Sequence, residues 1–241
     1  WFTIVALPAL LVLVGLGSWQ LQRLQWKNDL IASFESRAAA PPIAVPAADA
    51  SLDDFGLDDV EFRRLALVGT FQHHKEVFLT GRTYEGNAGF HIVTPFQLDD
   101  GRVILINRGW VSEDYRDPAK RAFSQITGLV TVAGILRRPG VKGYFVPENE
   151  PDNGFWFTLV PSQINQHLGL GVAAIGQFYA DAVRTSDVVT LPIAAKTKLN
   201  LRNAHLSYAM TWYGIALALI GVYIAFHYQA GRLQFGRWRE G

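Results

Sequence analysis

The sequence predicts a membrane protein in which two transmembrane α-helices flank a mainly antiparallel β (α+β) soluble domain. Two charge-free ends and the pattern between them carry that expectation. Residues 1–22 hold no Asp, Glu, Lys or Arg, and neither do residues 203–231, so each end supplies the roughly 20 apolar residues a bilayer crossing requires. Between them the apolar residues fall into short runs rich in Val, Ile, Phe and Thr, separated by Gly, Pro, Asn or Asp, which is the pattern of strands.

Residues 1–24 form the first span. Trp19, Gln20 and Arg23 follow its apolar run directly, where a cleaved leader would end in small residues, so the span reads as an uncleaved anchor. Residues 25–60 begin with charged helical periodicity and pass into an Ala/Pro-rich stretch, the composition of a semi-rigid spacer between bilayer and domain. Residues 61–195 carry the β-rich domain, with strands expected at 61–71, 76–83, 91–97, 102–110, 129–136, 155–159 and 178–183. Asp100 and Gly101 between two apolar runs mark a hairpin, and Pro161, Ser162 and Gly169 bracket a short helix. Residues 203–229 form the second span and residues 230–241 a basic tail. Two crossings put both termini on one side of the membrane. Basic residues flank the spans on both sides, so charge does not fix which side that is.

A net charge of +1 gives no electrostatic footprint for nucleic acid. The zero cysteine count excludes disulfides, thiolate nucleophiles, zinc fingers and covalent c-type haem attachment. A single methionine, Met210, disfavours a copper carrier built on soft sulfur ligands. No GxSxG, Walker loop or HExxH occurs, and the acidic pairs Asp53/Asp54 and Asp58/Asp59 fall in a polar connection and read as solvated. The expectation is a protein that is not an enzyme. Adjacent His73 and His74 point to opposite faces of a strand end and read as surface residues. His91 and His167 have no second ligand at a metal-binding spacing.

At 100° per residue the second span has two faces. His205, Tyr208, Ala209, Trp212 and Ala216 fall on one. Gly214, Ala218, Gly221 and Ala225 fall opposite, and such small residues let helices approach closely. The expected packing surface is therefore this small stripe, against Gly15 and Gly17 of the first span, with His205 facing outward. His205 and His227 lie roughly 33 Å apart along a helix, about the hydrocarbon thickness, so both fall at interfaces. His227 reads as an interfacial anchor. His205 has Tyr208 and Trp212 beneath it and Arg202 one turn before it. An imidazole, flat aromatic surfaces and a cation suit a macrocycle with an iron to ligate and carboxylates to pair; an aromatic belt at the membrane surface uses the same residues.

Arg23, between Trp19 and Trp26, has the same two readings: a partner for a ligand's carboxylates across from His205, or a snorkelling cation in an interfacial belt. Gln20 and Gln22 beside them either hydrogen-bond across helices or mark the water boundary. In "NRGWV" (107–111), Arg108 and Trp110 alternate with their neighbours along a strand. Arg108 either reaches toward the membrane surface or a partner, or stacks on an aromatic ring to complete the fold, the preferred reading.

"LGSWQLQRLQWKNDLI" (16–31), "FRRLALVGTF" (62–71), "GFHIVTPFQLDDGRVILINRGWV" (89–111), "FVPENEPDNGFWF" (145–157) and "RNAHLSYAMTWYGIA" (202–216) together resemble the surfeit locus protein one family of cytochrome oxidase assembly factors. The resemblance spans both helices and most of the domain between them. It implies two transmembrane helices around a domain in the bacterial periplasm or the mitochondrial intermembrane space. It further implies a role in building haem-copper terminal oxidases, linked to delivery of haem a to the large haem-bearing subunit, with haem a synthesis enzymes as further partners. The family's proposed haem contact, a histidine in "HLxYAxTW", falls here on His205. Ala204 and Ser207 depart from the common "NNHLQYA" form and remove two side-chain amides beside that histidine. The competing expectation is a haem-free scaffold, or a resident accessory subunit, that packs its His205 stripe on an oxidase subunit.

Overall fold

In the computed structural model, residues 2–46, 60–184, 190–194 and 203–233 are described. The elements are α1 (Phe2–Ala39), β1 (Arg64–Phe71), β2 (Val77–Tyr84), β3 (Asn87–Leu98), β4 (Val103–Ser112), β5 (Val130–Arg137), α2 (Pro161–His167), β6 (Tyr179–Ala182) and α3 (His205–Gln229). They divide into two units, one from residues 1–33 and 200–241, the other from residues 34–199.

The helical unit pairs α1 with α3. Both helices are long and apolar enough to cross a membrane, and only 11% of the most apolar stretch of each is buried inside the molecule. A core helix of a soluble protein would be mostly covered, so these faces are built for lipid.

The other unit is a sheet that closes on itself. β1 pairs with β5, β5 with β6, β6 with β4 and β4 with β3. The C-terminal part of β3 then returns to β1, while its N-terminal part pairs with β2. All these pairings are antiparallel except β4 with β6. Closure brings two backbones very close at Gly69, where a Cβ would lie 2.0 Å from the Gln97 carbonyl oxygen. Leu65, Leu67, Phe96, Ile104, Leu136 and Phe178 fill the interior. A second cluster of Val77, Leu79, Trp156 and Ile164 packs under α2. Burial of each large side chain stabilises the fold by roughly 1.5–3 kcal/mol.

The hairpin at Asp100 and Gly101 forms, with Gly101 at φ +88°. One expectation changes. Residues 155–159 make isolated bridges at Phe155 and Trp156 rather than a strand. The side chain of Asn149 accepts from the Phe157 and Thr158 N–H groups, so a side chain satisfies backbone that a ladder would otherwise pair. The start of the semi-rigid Ala/Pro stretch is bonded to the sheet itself: Ile43 N–H donates to Arg64 O at 2.8 Å, and Arg102 donates to the carbonyls of Val45 and Pro46. Phe34 and Ala38, at the end of α1, pack on Ile135. The acidic pairs between residues 53 and 59 lie outside the described residues.

Candidate functional site

The face of α3 that meets α1 is the reverse of the expected one. Ala209 and Ala216 are buried, whereas a Cβ on Gly214 or Gly221 would meet nothing within 4 Å. Polar pairs account for the choice, because an unpartnered polar group in hydrocarbon is costly. Tyr223 OH lies 3.1 Å from Thr3 Oγ1, Tyr213 OH lies 3.1 Å from Ser18 Oγ, and Asn203 Nδ2 donates to Asn28 Oδ1 at 2.9 Å. Gly17 seats the Tyr213 ring, to which a Cβ would come within 2.8 Å. Gly15 has no such role.

His205, the first residue of α3, belongs to this face. Its Nδ1 donates to Gln20 Oε1 at 2.8 Å. An amide oxygen only accepts, so the ring proton sits on Nδ1 and Nε2 carries a lone pair. The amide beside this histidine thus comes from α1, and the replaced positions 204 and 207 do not decide its tautomer. Ala204 and Ser207 instead make a local turn, with Ser207 Oγ donating to Ala204 O at 2.8 Å.

The other expected residues sit around this pair. Tyr208 is 56% exposed and Trp212 is half-buried; neither makes a ring contact with His205 among the described residues, so the expected stack beneath the imidazole is absent. At i+3, Tyr208 falls on the flank of the helix rather than under the ring. Arg23 is exposed and stacks on Trp26, its guanidinium carbon 4.0 Å from the ring centroid. Trp19 and Trp26 are both half-exposed. Arg202 lies outside the described residues. His227 is buried, 4.4 Å from the Tyr223 ring, tilted against Phe2 and edge-on to Phe226.

In the sheet unit, Arg108 is structural. It lies over the Phe71 ring at 5.0 Å, donates to Ser124 O and pairs with Glu76 at 3.1 Å. Arg121, fully buried, holds the other Glu76 oxygen at 2.6 Å, and Gln125 donates to Glu76 at 3.1 Å. Burial pushes the Glu76 carboxyl up, but the hydrogen bond and charge of Arg121, with Gln125 and Arg108, outweigh it and hold Glu76 below the usual range. Burial lowers Arg108 to about 10 against the pull of Glu76. His73 is no surface residue: its Nε2 donates to Ile126 O at 2.9 Å and its Nδ1 faces Arg108 at 3.3 Å. His74 is exposed, and His167 packs edge-on against Trp156. Trp110 lies against Tyr84, with centroids 5.5 Å apart. Among the described residues no group of His, Asp and Glu forms a metal site.

The sequence reading missed Glu76 and Arg121 as partners, because they are 45 residues apart and neither stands in a recognisable motif. It also missed the inward turn of Tyr213, for which the only signal was its spacing from His205 and Ala216 on the helix.

The geometry defines a pair of lipid-facing helices with a polar seam, ending in a tautomer-fixed histidine. A model of the SURF1 family matches residues 7–217. The chain belongs to the SURF1 family. It is 34% identical to surfeit locus protein 1 of Mus musculus over 90% of this chain and 72% of the relative. It is 36% identical to surfeit locus protein 1 of Homo sapiens over 85% and 70%, and 32% identical to a SURF1-like protein of Monosiga brevicollis over 91% and 85%. The SURF1 family is one of cytochrome oxidase assembly factors, and with its two spanning helices this member is a membrane α+β protein.

Proposed function

We propose that this SURF1-family protein assists assembly of a haem-copper terminal oxidase by holding haem a at His205 and passing it to the large catalytic subunit. The observation that carries the reading is the Gln20–His205 hydrogen bond, which leaves Nε2 as the free lone pair that an axial ligand requires. Haem supplies an iron in need of an axial nitrogen and two carboxylates. His205 would hold the iron; Arg23, exposed three residues beyond Gln20 and braced on Trp26, would meet a carboxylate. Tyr208 and Trp212 offer uncovered aromatic surface beside them. A single histidine, with no second protein ligand among the described residues, favours moderate affinity, as a transfer site requires. The protein itself makes and breaks no covalent bond in this role.

The proposed setting is a bacterial inner membrane or a mitochondrial inner membrane. The sheet unit would lie on the periplasmic or intermembrane-space side and both termini on the cytoplasmic or matrix side. Haem a synthesis enzymes would be the upstream partners.

One observation favours the haem-free scaffold reading. The stripe of Gly214, Ala218, Gly221 and Ala225 is left uncovered by α1 and could receive a helix of an oxidase subunit. Absorption spectra of protein purified from cells making haem a separate the two. The haem reading expects a haem a band that is lost in His205→Ala. A colourless wild type, or a variant that keeps its haem, would favour the scaffold.

A further inference from the structure

A cavity of about 540 Å³ opens in the sheet unit, with Arg82, His91, Asn107, Tyr179 and Asp181 on its polar side. Asn107 sets the protonation pattern there. Its Oδ1 accepts from the Gly109 N–H at 3.2 Å and its Nδ2 donates to Asp181 Oδ1 at 2.8 Å, which fixes the amide's orientation. The same Nδ2 lies 3.3 Å from His91 Nδ1. That nitrogen therefore accepts, and the imidazole presents Nε2–H as a donor. Burial, with the charge of Arg82, lowers the His91 pKa to about 4, so the ring is neutral.

Tyr179 is 9% exposed, and among the described residues its hydroxyl has no hydrogen-bond partner. Burial raises its phenol well above the ordinary value, so it keeps its proton. Arg82 is tethered at the wall by one bond to Phe157 O at 2.9 Å. Asp181 spends its hydrogen bonds on Arg137 at 3.1 Å and on Asn107, and Arg82 and Tyr179 meet it through charge alone, with no hydrogen bond to it. One cation and two neutral donors thus line a single cavity, and buried donors call for acceptors. The guanidiniums of Arg82 and Arg137 against the single Asp181 carboxyl leave one positive charge in excess, which matches one negative charge. Val141 and Phe145, both highly exposed, and Phe157 supply an apolar rim to the same cavity. The volume is that of a small-molecule site.

We propose that this cavity binds a small amphipathic carboxylate, its acid group on Arg82, His91 and Tyr179 and its hydrocarbon body against Val141, Phe145 and Phe157. The site shares no residue with the membrane helices, so it stands or falls independently of haem binding.

The test uses the full chain in lipid nanodiscs, with 6-phenylhexanoate and its neutral amide as probes. Calorimetry, with empty nanodiscs subtracted, reads affinity, and the ¹⁵N shift of the His91 imidazole reads location. The acid is expected to bind and to shift His91 Nε2, with the amide roughly 10-fold weaker or worse. Arg82→Gln and Tyr179→Phe should each weaken the acid about 10-fold without changing the unfolding curve. If Tyr179→Phe fails to fold, Arg82→Gln, on a partly exposed side chain, carries the comparison. Equal binding of acid and amide, affinity unmoved by the substitutions, or no binding overturns the proposal.

Discussion

Arg108 and His205 both stand in recognisable sequence signatures, and the structure treats them in opposite ways. Arg108 is enclosed by Glu76, Ser124, His73 and the Phe71 ring. His205 is committed on one ring nitrogen and open on the other. A side chain held by an ion pair, a carbonyl, an imidazole and a ring at once holds a fold together; one oriented on a single side is prepared for something else. Signature density alone does not separate these cases. The accounting of donors and acceptors does.

The largest effect expected from that contrast is at Glu76. Its carboxylate is 3% exposed and answers two buried arginines, so Glu76→Gln should destabilise the sheet unit by about 3–5 kcal/mol, read by denaturant unfolding. Because the folded pKa of Glu76 is lowered, its stabilisation is complete above the unfolded value near 4.3 and is lost as pH falls through the folded one. The variant should lack that acid-side slope. A small loss would mean that the cluster is looser than its distances suggest.

His91 comes next. With its pKa lowered to about 4, its contribution is present above an unfolded value near 6.5 and declines as pH falls from there toward 4, by up to about 3 kcal/mol. His91→Gln should flatten stability across that window. At the other pole, Gln20→Leu should weaken haem a binding by about 10-fold, since the partner that orients a metal-ligating histidine is commonly worth that much. If affinity were unchanged, His205 would need no orienting bond and its contrast with Arg108 would fade. The smallest effect belongs to the helix seam: Tyr213→Phe, which loses the Ser18 contact, should cost about 0.6 kcal/mol in detergent-induced unfolding. Gly214→Ala, on the uncovered face where a Cβ meets nothing within 4 Å, should cost nothing.

What the sequence disclosed and what it withheld divide along physical lines. Absence of charge from residues 1–22 and 203–231 suffices to place two spans, because bilayer solvation depends on composition. Alternating burial in β1 and the turn chemistry of Asp100 and Gly101 are equally local, and so were legible. The pairing face of α3 was not. Small residues suggested one side, but hydrogen bonds between residues as distant as Gln20 and His205 selected the other. Trp156 misled for a similar reason: its apolar run looks like a strand, yet Asn149 supplies the partners a neighbouring strand would have given. The cavity of His91, Asn107, Tyr179 and Asp181 is assembled from β3, β4 and β6, and no spacing along the chain announces it.

The central claim is that Gln20 fixes the tautomer of His205 and leaves Nε2 open. ¹⁵N NMR of the histidine-labelled protein in nanodiscs, with resonances assigned through His205→Ala, tests it directly. The account predicts a protonated Nδ1 and an unprotonated Nε2 in the wild type, a mixed tautomer in Gln20→Leu, and a change confined to Nε2 when haem a is added. A wild-type proton on Nε2, or a ring that haem a leaves unaltered, would contradict it.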